Sequence, residues 1–135
     1  KKVPLENPYN ALSGFWIFLK DGEVQETPGE NYYANKLGPR TAVAVDKTEQ
    51  TLLLLVVDGR QPNYSEGMTL AELAQVALQH GADTALNLDN GGSTTLVKEG
   101  IHGGPVVLNS PIHGRVPPGR ERVVANHLGI FARRK

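Results

Sequence analysis

Between Thr51 and Val57 the chain reads Thr-Leu-Leu-Leu-Leu-Val-Val, an apolar run with no charge, no turn former and no alternation. So short a run fits a buried strand better than a helix, which needs more length. Without alternation the strand has no polar side to give to water, which predicts a central strand covered on both faces. Upstream, Thr41-Ala-Val-Ala-Val45 reads as its neighbour, with Asp46 to Gln50 as the hairpin loop between them. Phe15-Trp-Ile-Phe-Leu19 is a further short strand, stopped by the hairpin-type turn Lys20-Asp21-Gly22.

A helix follows the apolar run. Thr69 with Glu72 three residues on forms a capping box ahead of Leu70, Leu73, Ala74 and Ala77. His80 sits in the last turn and Gly81 at C′ ends the helix. Next come strands over Thr84 to Leu88, Thr94 to Lys98 and Pro105 to Leu108, then a long loop from Asn109 to Arg122. The apolar pieces Val123-Val-Ala125 and Leu128-Gly-Ile-Phe131, the latter read as a strand, close the chain. Pro28 to Pro39 reads as a loop. The expected architecture over residues 1–135 is one α+β domain, a mostly antiparallel or mixed sheet packed by one main helix.

Composition excludes several classes. Fourteen basic and 14 acidic residues cancel, so no field recruits nucleic acid or an acidic membrane surface. The absence of cysteine removes thiol nucleophiles, disulfides and thiolate metal sites. No apolar stretch is long enough to span a bilayer as a helix, and no signal peptide is apparent. His80, His102, His113 and His127 have no His-x-x-x-His spacing, which argues against zinc.

Chemistry-bearing residues gather where apolar strands end. Val57-Asp-Gly-Arg60 ends one strand; Leu88-Asp-Asn-Gly-Gly-Ser93 ends another. Gly and Asn tolerate positive φ and leave amides unshielded, so Asn90, Gly91, Gly92 and Ser93 can hold an oxyanion beside Asp89. A tight turn between strands uses the same letters. With strand, helix and strand between them, Asp58 and Asp89 reach one sheet edge if their strands run parallel. Paired carboxylates of that kind are what glycoside hydrolysis uses. An exposed turn with an Asp58–Arg60 ion pair is the plainer reading. Ser65 lies just ahead of the helix and is placed to meet a ligand there or simply to lead into it. Glu121, between Arg120 and Arg122, is a carboxylate in a basic setting, or part of a solvated charge run.

Taken in order, Arg40-Thr-Ala42, Val57-Asp-Gly-Arg60, Tyr64-Ser-Glu-Gly-Met-Thr69, Asn87-Leu-Asp-Asn-Gly-Gly-Ser93, Leu108-Asn-Ser110 and Glu121-Arg-Val-Val-Ala-Asn126 make one pattern. From about Asn10 to Ala132 the chain resembles the phosphodiester glycosidase family. Pro111-Ile-His-Gly-Arg115 and Ala125-Asn-His-Leu-Gly129 look most like its cyanobacterial members. The resemblance implies a hydrolase that cleaves between a sugar's anomeric carbon and a phosphodiester, in surface polysaccharide or glycan metabolism. It implies Asp58, Asp89 and Glu121 as acid, base or nucleophile. Arg40, Arg60, Ser65, Asn90, Gly91, Gly92, Ser93, Asn109 and Arg122 would hold the substrate. The alternative is a sugar-phosphate binding module or assembly subunit without turnover.

The same likeness implies a location outside the cytoplasm or at the cell surface. It also implies that the chain corresponds to the C-terminal part of the family domain, since the family's Asn-Gly-Gly-Phe-Phe-type segment has no counterpart here. A homo-oligomer, or a partner chain supplying the missing strands, would then complete the sheet. Nothing in the sequence requires a cofactor, while the three acids are oxygen ligands of the kind Ca²⁺ or Mg²⁺ takes. The family's Asp-Gly-Gly-Gly-Ser motif has Asn90 as its second residue here, and the expectation is that asparagine takes up the left-handed turn.

Overall fold

The computed structural model describes residues 11–26, 33–113 and 119–132. Lys1 to Pro4, Tyr32, Arg115 and the basic tail lie outside them, as does part of the loop read over Pro28 to Pro39. Eight elements succeed one another: β1 (Trp16–Lys20), β2 (Glu23–Val24), β3 (Arg40–Val45), β4 (Leu52–Val57), α1 (Leu70–Gln79), β5 (Thr84–Asn87), β6 (Val97–Glu99) and β7 (Pro105–Val107). The first five strands form one sheet in the order β2-β1-β5-β3-β4, and β6 and β7 pair separately. Every ladder is antiparallel.

These facts correct the expected α+β class. Among the described residues the fold is mostly β: the sheet is antiparallel throughout, as its pairing was mainly expected to be, and the one α-helix is only ten residues long and covers one face. The helix itself stands where its signals put it. Glu72 N–H donates to Thr69 Oγ1 at 3.2 Å while Glu72 Oε2 accepts from Thr69 N–H at 2.8 Å, and Gly81 takes φ +85°. Leu70, Leu73, Ala74 and Ala77 then meet Phe18, Leu19, Ala42, Ala44 and Ala85 to form the core. Alanines at the sheet side of this contact let the helix approach closely, and close approach excludes water from both surfaces.

β4 corrects a second expectation. It is an edge strand and not a central one. Its unbroken six-pair register with β3 sets Leu53, Leu55 and Val57 level with Ala44, Ala42 and Arg40, on the helix side. Leu52, Leu54 and Val56 share the other face with Val45, Val43 and Thr41, and Leu54 keeps 42% of its surface exposed. An apolar run that lacks alternation therefore marks a strand with two apolar sides, of which only one is covered by the helix. At the end of the chain, 119–132 forms no strand; Val123 and Phe131 are fully exposed there.

Candidate functional site

Both β4 and β5 run antiparallel to β3, one on each side of it. They are therefore parallel to one another, and their C-terminal ends emerge at the same sheet edge. Asp58 follows one, Asp89 the other. Beyond Asp89 the chain tightens into a single 3₁₀ turn over Gly91–Ser93. Leu88 N–H donates to Thr41 O at 2.9 Å and Thr41 N–H to Asn90 Oδ1 at 3.0 Å, which stitches the turn to the start of β3. Asn90 is extended, with φ −123°, and the left-handed residue is Gly91, with φ +66°. The expectation of a left-handed Asn90 is thus corrected. Asparagine replaces a glycine at a position that needs no positive φ, and its side chain caps β3 instead.

Side chains at the two glycines of this turn would crowd their neighbours. A Cβ on Gly91 would sit 3.1 Å from Nη1 of Arg60; one on Gly92 would sit 3.1 Å from Ile112 O and 3.4 Å from Cδ of Arg122. Arg60 and Arg122 accordingly flank the turn from two sides. Arg60 itself is left-handed, with φ +57°, a conformation that costs a residue with a Cβ roughly 1–2 kcal/mol. Its amide bonds to Glu66 O and the following Gln61 forms a bridge with Ser65, which holds the strained backbone in place.

A cleft of about 980 Å³ opens beside the turn. Asp89, Ser93, Glu121 and Arg122 line it, with Thr41, Val43, Leu54 and Val56 of the uncovered sheet face as its floor. Asp89 and Glu121 are both exposed, so solvent reaches them. A smaller hollow of about 350 Å³ near the helix start is lined, among the described residues, by one acid, Glu26, and by no cation.

Asp58 has a different surrounding. It does not line the cleft. Its carboxylate accepts from Asn109 Nδ2 at 2.9 Å, from Ser110 N–H at 2.9 Å and from Tyr64 Oη–H at 3.0 Å. The hydrogen bond to this carboxylate, with its charge, holds the Tyr64 phenol above its ordinary pKa. Asn109 in turn accepts from Leu96 N–H at 2.8 Å and donates to Thr94 O at 3.1 Å. Ser65 Oγ donates to the Asp58 carbonyl at 2.7 Å and accepts from Gly67 N–H at 3.2 Å. Asp58, Ser65 and Asn109 thus tie the end of β4 to the loop after β7. Sequence reasoning missed the fourth member, Gln61, which exchanges hydrogen bonds of 2.8 and 2.9 Å with Ser110. A buried Gln next to an Asp-Gly turn carries no spacing signal.

Arg40 is likewise committed. It is 4% exposed and donates to the carbonyls of Met68, Tyr33 and Lys36 at 2.7, 2.7 and 2.5 Å. Burial, and then the neighbouring Arg60 cation, draws its guanidinium below the usual pKa. Arg60 lies against the glycine turn, and its charge is near enough to be felt at Arg40. Among the described residues, two buried side-chain atoms there have no hydrogen-bond partner: Ser93 Oγ and His113 Nδ1, with His113 Cα 3.4 Å from the Cβ position of Gly92. In the sequence His113 reads as a loop histidine near Arg115 with the option of facing a cleft. Among the described residues no group of three or more His, Cys, Asp or Glu is arranged to hold a metal ion, and Asp58 stands apart from the two acids of the cleft.

Several known proteins are similar to this chain. The phosphodiester glycosidase family model matches residues 1–131. N-acetylglucosamine-1-phosphodiester alpha-N-acetylglucosaminidase of Bos taurus is 37% identical over 109 residues, 70% of this chain and 20% of its own length. The Homo sapiens and Mus musculus proteins of the same name are 33% and 38% identical over similar spans. The chain therefore spans about a fifth of the length of these curated relatives. Among solved structures, that of a hypothetical protein from Synechocystis aligns with a TM-score of 0.48 and 28% identity, over 58% of this chain and 15% of the other. With residues 1–131 matched from end to end by the family model, the chain belongs to the phosphodiester glycosidase family.

Proposed function

We propose that this chain carries the phosphate-binding and acid–base part of a glycosidase site that hydrolyses a sugar-1-phosphodiester. The observation that supports it best is the sharing of one cleft by Asp89, Glu121 and Arg122, with Arg60 over the adjoining glycine turn. Similarity to enzymes named for cleaving N-acetylglucosamine-1-phosphodiesters supports the substrate class. Arg60, Arg122 and the amides of the Gly91–Ser93 turn would take the charged phosphate oxygens. Water adds across the bond between the anomeric carbon and oxygen. Its hydroxyl goes to the sugar and its proton to solvent or a carboxylate, and a phosphate monoester departs. A departing phosphate is already a good leaving group, so one acid–base carboxylate suffices, and Asp89 is assigned that role with Glu121 stabilising positive charge on the sugar ring. Arg40 would act from behind the turn, by its charge. Asp58, Ser65 and Asn109 would act by holding the strand end and loop in place, and Asn90 by anchoring the turn.

Relatives acting on glycans favour a setting outside the cytoplasm, and among the described residues no helix is long and apolar enough to cross a membrane. The test is turnover of a nitrophenyl sugar phosphodiester by the chain and by Asp89→Asn. Hydrolysis that disappears in a folded Asp89→Asn variant supports the assignment. Affinity for sugar phosphate with no product from the unaltered chain would move it to the binding-module alternative. Full activity in Asp89→Asn would refute it.

A further inference from the structure

The guanidinium of Arg60 lies between two glycines. A Cβ on Gly38 would sit 3.7 Å from its Nε, and one on Gly91 would sit 3.1 Å from its Nη1. Among the described residues no carbonyl or carboxylate accepts from it, so its donors are open to a ligand. With no side-chain hydrogen bond to fix it, its direction is set by the backbone from which it springs. That backbone is left-handed, with φ +57°. A strained residue keeps such a conformation only where its surroundings over-determine it.

Those surroundings meet at Gln61. Its amide donates to Ser65 O at 2.9 Å, and its carbonyl accepts from Ser65 N–H at 2.9 Å and from Tyr64 N–H at 3.1 Å. Its side chain is 3% exposed. Nε2 donates to Ser110 O at 2.8 Å and to Gly59 O at 3.4 Å, while Oε1 accepts from Ser110 Oγ at 2.9 Å. Gly59 and Gln61 bracket Arg60, so this one residue fixes the chain on both sides of the strained position. Ser110 stands two residues before Ile112, whose carbonyl oxygen lies 3.1 Å from the Cβ position of Gly92. Gln61 therefore joins the loop that sets Arg60 against Gly91 to the loop that packs on Gly92.

We propose that Gln61 is the positioning residue of the phosphate subsite. Through Gly59 and Ser110 it holds Arg60 against the glycine turn, so that the guanidinium and the Gly91–Ser93 amides reach one and the same phosphate. The phosphate part rests on the function proposed above; the hold on Arg60 does not.

The experiment is isothermal titration with inorganic phosphate, together with the amide resonances of Gly91 and Gly92, on the 135-residue chain, Gln61→Met, Arg60→Gly and the double variant. Gln61→Met keeps the length of the side chain and loses its amide. It is expected to weaken phosphate binding by about fivefold to tenfold, the scale of one charged hydrogen bond, and to move both glycine resonances. In the Arg60→Gly background the same change is expected to add nothing, because its effect passes through Arg60. Losses that multiply in the double variant overturn the proposal, as does a Gln61→Met chain that binds phosphate normally while Arg60→Gly does not. If Arg60→Gly binds phosphate as the unaltered chain does, or neither binds it, the phosphate reading is what fails. The resonances then decide the hold on Arg60: moved in Gln61→Met they uphold it, unmoved they overturn it. Should Gln61→Met not fold, Ser110→Ala takes its place in the same comparison. It removes one hydrogen bond from the far end of the tie, with an expected loss of about threefold.

Discussion

Asp58 and Asp89 leave the same edge of one sheet, each one or two residues past an apolar strand, yet their surroundings differ. Asp58 accepts three hydrogen bonds, two of them from residues 51 and 52 positions away in sequence. Asp89 accepts only the amide of the next residue among the described contacts and faces a cleft. A carboxylate whose lone pairs are filled by protein donors is a structural tie. One left open to solvent in a cleft that Arg122 also lines is free to meet a substrate. Strand-end position alone makes an acid available for either use; what decides is whether another segment arrives with donors.

The contrast can be broken most sharply by exchanging the roles. Asp89→Asn is expected to lower kcat/KM on a sugar phosphodiester by about a thousandfold, the range of a lost acid–base group, with little change in melting temperature. Asp58→Ala is expected to do the reverse in kind. It leaves Asn109, the Ser110 amide and Tyr64 without their acceptor, so unfolding free energy falls by about 2–3 kcal/mol, visible as a lower denaturation midpoint. If Asp58→Ala folds as well as the unaltered chain, the assignment of Asp58 as a tie fails.

Arg60→Gly sharpens the comparison from the cation side. Relief of the left-handed backbone is expected to hold stability steady or raise it by up to about 1 kcal/mol, while phosphate affinity falls about tenfold for want of one charged hydrogen bond. Isothermal titration with inorganic phosphate and a thermal melt measure the two effects together.

The smallest effect serves as a control far from both strand ends. Thr69→Ala is expected to cost about 1 kcal/mol by uncapping α1, without changing kcat/KM. The Thr69 amide, and then the Thr69 hydroxyl, hold the Glu72 carboxyl below its ordinary pKa. A depressed folded pKa contributes stability that is fully present above the unfolded value near about 4.3 and is lost as pH falls through the folded value. Chemical denaturation at several pH values in that acidic range should therefore show a shallower pH slope in Thr69→Ala than in the unaltered chain.

Much of the chain was legible locally. The Thr69–Glu72 capping box, the Asp21-Gly22 turn and the glycine stop at Gly81 act through neighbours within a few residues, so their letters suffice. Antiparallel pairing of β3 with β4 follows from a short loop, for the same reason. Less legible were the strand expected over Thr94 to Lys98, which begins only at Val97, and the strand over 128–131, which is not formed. Strand letters describe a tendency that partners must satisfy, and the apolar end of the chain has none among the described residues.

What the sequence by itself determined is the order of strand and helix and the places where polar groups leave them, because capping, turn chemistry and apolar runs act over a few bonds. Only the tertiary structure decided that β4 lies at an edge, that Arg40 is enclosed by carbonyls, and that of two like aspartates one binds a loop while the other faces open space. Those outcomes depend on which distant segment brings donors or apolar surface to a given point, and a side chain has no means of encoding its partner alone.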